Sequence, residues 1–115
     1  MREDAIDNIR RWSDEDLQSD YMDLLRTCAG KIVNGRVLIY GAEDVVERNR
    51  TFETKKYCAG YFALGDDSGG RAIVTNLGKV TGPIFIVDQG SMSEDDFIQI
   101  ASDMQTWLRQ GCPID

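Results

Sequence analysis

A chain of 115 residues with a net charge of −7 and no histidine suits one domain, large enough to bury a core without disulfide help. It is poorly matched to nucleic acid, because such binding draws its free energy from Lys and Arg releasing condensed counterions. Its apolar runs are too short to cross a bilayer and the acidic start at Glu3 and Asp4 does not resemble a secretory signal, so a cytoplasmic protein is expected.

In chain order, Glu3 to Trp12 places Ala5, Ile6, Ile9 and Trp12 at helical spacing, with acids early and Arg10 and Arg11 late, as the helix dipole favours. A second helix is expected from about Asp14 to Ser19 through Tyr21, Met22, Leu24, Leu25 and Cys28, with Ser13 or Ser19 as its cap and Gly30 as its stop. Asn34 and Gly35 signal a turn with positive φ, after which Arg36 to Tyr40 reads as a strand that Lys31 to Val33 can pair with. Glu43 to Arg50 reads as a short helix, acidic at its start and basic at its end, buried through Val45 and Val46. Thr51 to Cys58 is polar and carries the chain to the next strand.

Tyr61–Leu64, Ala72–Leu77 and Ile84–Val87 are aromatic and β-branched runs bounded by Gly, Pro, Asn or Asp, which predicts a three-stranded antiparallel meander. Asp66 to Gly70 is the first turn, with Gly69 and Gly70 supplying positive φ, and Gly78 to Pro83 is the second. The last element is read as a helix capped by Ser93, with Glu94, Asp95 and Asp96 in its first turn. Phe97, Ile100, Ala101, Met104, Trp107 and Leu108 fall on one face of it, and Gly111 and Pro113 end it. The fold class expected is α+β, a single antiparallel-rich twisted sheet with helices packed on it.

No catalytic constellation stands out. Asp66, Asp67 and Asp88 sit at predicted strand ends and are read as turn formers. As an acid–base pair or hard-cation site they lack calcium-loop spacing and any His, Lys or Cys placed to complete them. Ser68 has no histidine to serve as its base. Gly65 to Gly70 lacks the Gly-Lys-Ser/Thr ending of a phosphate loop. Cys28, Cys58 and Cys112 are odd in number and lack Cys-x-x-Cys spacing, so reduced and mostly buried thiols are expected, although Lys55 and Lys56 beside Cys58 would lower its pKa. The stretches 1–30 and 60–115 are acidic and 31–59 is slightly basic, a distribution suited to a basic protein partner steered by charge.

Ser19 to Leu25 followed by Asn34-Gly35, Ile39-Tyr40 leading into Glu43 to Asn49, Tyr61 to Gly70 with its Gly-Asp and Gly-Gly pairs, Gly82 to Phe85, and Ile100-Ala101-Ser102 form an ordered series. In that order they resemble the SUKH superfamily, which includes yeast cell-wall assembly regulators and small bacterial immunity proteins. The series covers most of the chain from about Asp16. It departs from the family at Gln18, where proline is common, and at Arg71, where an acid or amide is common. The resemblance implies a SUKH-like α+β domain with no enzyme activity and no cofactor, which neutralises a toxin, often a nuclease, by direct binding. On this reading Asp66, Asp67, Asp88, Glu94, Asp95 and Asp96 are the expected contacts to a basic cognate toxin, with no direct nucleic acid and no membrane as partner. The alternatives are a regulatory or scaffold module of the same fold and, from another class, a metal-dependent enzyme using Asp66, Asp67 and Asp88.

Overall fold

Six antiparallel strands follow one another across a single sheet in the order in which the chain makes them. This architecture is seen in a computed structural model that describes residues 3–78 and 82–114. Two helices come first, α1 (Glu3–Ser13) and α2 (Ser19–Cys28). Strands β1 (Ile32–Val33) and β2 (Val37–Ile39) precede helices α3 (Ala42–Phe52) and α4 (Thr54–Tyr57). Strands β3 (Tyr61–Asp66), β4 (Arg71–Asn76) and β5 (Ile84–Asp88) form the expected meander. A single 3-10 turn (Glu94–Asp96), strand β6 (Ile98–Ala101) and helix α5 (Met104–Arg109) complete an α+β fold. Lys79, Val80 and Thr81, in the middle of the second predicted turn, lie outside the described residues.

Helix α1 buries Ile6, Ile9 and Trp12, and α3 buries Val45 and Val46. The two helices pack on each other, while α3 and α4 also contact β3. The β1–β2 hairpin turns at Asn34 and Gly35, both left-handed at φ 57° and 71°, and the Arg36 amide closes the turn by donating to the Val33 carbonyl, as an Asn-Gly pair favours. Strands β3 and β4 are buried along both faces, which explains why their sequences are runs rather than alternations. On one face Tyr21 of α2 meets Phe62 edge-on at 4.9 Å. On the other, Tyr61, Phe85 and Phe97 form an aromatic cluster with centroid separations of 5.2–6.1 Å.

Three local expectations are corrected. Neither Ser13 nor Ser19 caps α2: its cap position is Gln18, whose amide nitrogen instead donates across the fold to the Asn76 carbonyl at 2.9 Å. At the β3–β4 turn the positive φ falls on Ser68 (62°) and Gly70 (102°) rather than on Gly69.

The predicted C-terminal helix is the third. Ser93 does cap, accepting from the Asp95 amide, but the helix stops after one turn, and the chain then becomes an edge strand. Ile84 pairs with Ala101, Phe85 with Gln99 and Ile86 with Ile98. Helix α5 starts only where Asp103 accepts from the Thr106 amide at 2.7 Å. It buries Met104 and Trp107, and the Trp107 indole donates to the Pro113 carbonyl at 2.9 Å.

Candidate functional site

The antiparallel register puts Asp66 at the end of β3, Arg71 at the start of β4 and Asp88 at the end of β5, with Arg71 directly opposite Asp88. The sequence-predicted carboxylates of this group therefore share one end of the sheet. Asp67 is paired with Arg71 and Asp88 stands opposite it, whereas Asp66 is bound by Tyr40 and Ser68. Asp67 is buried, and both its oxygens are engaged. Oδ1 accepts from the Gly69 amide at 2.8 Å and the Arg71 amide at 2.9 Å, and Oδ2 accepts from Arg71 Nε at 2.8 Å. Burial pushes the Asp67 carboxyl up, but the hydrogen bonds and charge of Arg71, with the Gly69 amide, outweigh it and hold the group below the ordinary carboxylate range. This carboxylate builds the turn and has almost no surface left to offer a partner.

Asp66 is held on two sides. It accepts from the Tyr40 hydroxyl at 2.8 Å and from the Ser68 amide at 2.9 Å. Burial raises the Tyr40 pKa strongly, and the hydrogen bond to Asp66 adds to the effect, so the phenol remains a donor at all physiological pH. The Arg48 guanidinium lies over the Tyr40 ring at 5.6 Å. Asp88 is exposed and accepts from the Gly90 amide at 2.7 Å.

Glu94, Asp95 and Asp96 are all exposed, and because β6 runs antiparallel from the end of β5, Asp96 lies toward the Asp88 end of the sheet. The connection from β5 folds back over the sheet so that Phe97 meets Tyr61 at 5.2 Å, and Tyr61 is at the opposite end of β3 from Asp66. Ser91 donates its hydroxyl to Asp96. Glu94 lies close enough to the Cys58 thiol to influence its pKa. Asp67 and Asp88 thus flank Arg71, and Asp96 is tied through Ser91 to the turn that follows Asp88.

Cys58 is a buried free thiol, as expected from the sequence, and its basic neighbours do not lower its pKa. Burial, aided by the Glu94 charge, pushes it up to about 11. The nearby lysines are engaged elsewhere: the Lys55 ammonium donates to the Trp12 carbonyl and lies 4.9 Å from the Trp12 ring centroid, and Lys56 lies 5.0 Å from that of Tyr57. Burial likewise raises Cys112 to about 11, with the Cys28 charge acting in the same direction. All three cysteines are free, Cys28 half-buried and the other two buried.

Among the described residues no group of three or more His, Cys, Asp or Glu is placed to hold a metal ion, and no helix is long and apolar enough to cross a membrane. One feature that sequence reading missed is the outer rim of β6, where Ile98 is 62 % exposed. Its signal was the Ile98, Gln99, Ile100 alternation, hidden inside a stripe that also satisfies helical spacing. No protein-family model matches the sequence, and no curated protein is significantly similar to it.

The Asp67 geometry predicts a specific pH response. A carboxylate whose folded pKa is depressed stabilises the fold above its unfolded value, near pH 4, and that contribution is lost as pH falls through the folded value. Asp67→Asn should cost about 2 kcal/mol at neutral pH, as expected for loss of a charge-assisted hydrogen bond. The penalty should shrink as the wild type is acidified below about pH 4. Urea denaturation at a series of pH values checks this; a penalty unchanged down to about pH 2 would contradict the assignment.

Proposed function

We propose that this chain is a non-enzymatic protein-binding module of the SUKH type, an immunity protein that binds and blocks a basic cognate toxin in the cytoplasm. The observation that carries the reading is the exposed acidic side chains of Asp88, Glu94, Asp95 and Asp96 on a chain of net charge −7. A toxin that acts on an anionic polymer presents a basic surface, and an acidic partner gains association rate and selectivity from matching it. The order of the SUKH-like motifs and the α+β meander that carries them support the same reading. The metal-enzyme alternative loses Asp67 as a ligand, since its carboxylate is already spanned by Arg71 and the turn amides.

Co-expression with the toxin encoded beside the gene should restore growth. Growth no better than with an empty vector would remove the immunity reading. Replacing Glu94, Asp95 and Asp96 together by lysine should slow association with that toxin by roughly tenfold or more at low salt, with the difference closing at high salt.

A further inference from the structure

We infer that the outer rim of β6 is the docking edge of this molecule, taking up an extended, lysine- or arginine-flanked segment of a partner protein as a seventh strand. This rests on the protein-binding reading above and specifies where and how the contact is made. Strand β6 closes the sheet on one side, and among the described residues its pairing is to β5 alone. No other hydrogen bond to the backbone of residues 98–101 exists among the described residues. Half the peptide groups of a strand point away from its one neighbour, so β6 offers an open ladder.

The side chains along that ladder invite pairing. Exposed sheet edges are ordinarily guarded by Lys, Pro or an inward charge, and Ile98-Gln99-Ile100-Ala101 contains none of these. Ile73, Ile86 and Ile98 stand side by side across β4, β5 and β6, and their exposure goes from 0 % through 1 % to 62 %. An apolar side chain on an added strand would continue this row and bury Ile98. The opposite edge differs: β1 has only two residues and stands between Lys31 and Arg36.

Charge selects the occupant. Asp95 and Asp96 precede the open segment and are exposed, and Asp103 follows it, held ionised chiefly by the hydrogen bond from the Thr106 amide. A second copy of this chain paired antiparallel through Gln99 would set Asp95 against Asp103 of its partner and unite two bodies each of charge −7. Like charges directly across a ladder repel. A strand with an apolar centre and a cation at each end meets the same acids favourably and adds backbone hydrogen bonds.

The probe is the capped peptide Lys-Lys-Thr-Val-Thr-Val-Thr-Lys-Lys, titrated into the isotopically labelled protein with amide chemical shifts as the readout. Saturable shifts centred on residues 98–101 are expected. Affinity should weaken at least tenfold when the central threonine of the peptide is proline or when the protein carries Ile98→Lys. It should also weaken severalfold between about 50 and about 500 mM salt. Absence of saturable shifts at 98–101, shifts centred on the Asp66 turn instead, or equal binding of the peptide with glutamate in place of lysine would each overturn the proposal. Concentration-dependent shifts at 98–101 without peptide, with dimers in sedimentation, would assign the edge to a second copy and overturn it too. The growth test and this titration fail independently: loss of protection removes the immunity reading, whereas a silent titration removes the docking edge.

Discussion

Replacing Asn49 by leucine should cost about 3–5 kcal/mol, a large part of the 5–15 kcal/mol that holds a domain of this size together. Strand β2 pairs with β3 at Gly65 and Asp66, and the Tyr40 amide just beyond it donates to the Leu64 carbonyl at 3.0 Å. Two residues before Gly65, where β2 has ended, the Asn49 amide takes its place: Oδ1 accepts from the Ala63 N–H at 2.7 Å, and Nδ2 donates to the Ala63 carbonyl at 2.9 Å. The same nitrogen donates to Val45 at 2.8 Å. Asn49 is 1 % exposed, so water cannot substitute, and each buried group left unpaired costs about 1–3 kcal/mol.

The isosteric Asn49→Asp separates hydrogen bonding from packing. It keeps the shape but sets a carboxylate against the Ala63 and Val45 carbonyls, so it should be at least as damaging as leucine near neutral pH. Chemical denaturation of the three proteins is the measurement. If the aspartate variant were within about 1 kcal/mol of wild type, the bidentate role would be wrong.

Gly65→Ala is expected to be comparably severe, at about 3 kcal/mol or more. Gly65 has no left-handed φ to explain it. Its requirement is closeness: a Cβ there would run into the Leu38 carbonyl oxygen and come within 3.3 Å of the Leu38 carbonyl carbon and 3.4 Å of the Ile39 Cα. All three are backbone atoms of β2, so relief needs the strand itself to move. The register between β3 and β4 also shifts between Ala63 and Gly65, and glycine often marks such a close approach or bulge. Gly70→Ala is the contrast, since nothing lies within 4 Å of an added Cβ and only its φ of 102° opposes the change. Its cost should be near the roughly 1–2 kcal/mol of a left-handed alanine. Thermal melts that ranked Gly70→Ala as the worse of the two would contradict the proposed clash.

Much of the scaffold was legible because local chemistry and tertiary demand agreed. Asn34-Gly35 could turn only with positive φ, and Tyr61, Ile73 and Ile84 sit in runs whose propensity matched their place in the sheet. The C-terminal region was misread because Phe97, Ile100, Ala101, Met104, Trp107 and Leu108 satisfy a 3.6-residue period. β5 was left needing a partner on its outer side, and pairing with Ile98 to Ala101 outweighed the local helical pattern. Within the candidate site, the acids were visible but their surroundings were not. Asp67 and Arg71 are four residues apart, yet what joins them is a left-handed Ser68 that composition does not announce. Asn49 was silent for a related reason, since its value depends on where β2 happens to end.

Because every strand pairs with the one made just before it, the sheet can be assembled during translation. Each strand leaving the ribosome meets a template already laid down by the nascent chain, and little loop entropy is lost before pairing is rewarded. The same serial wiring puts β1 and β6 at the two borders of the sheet, so β6 joins only after the other five described strands have been made.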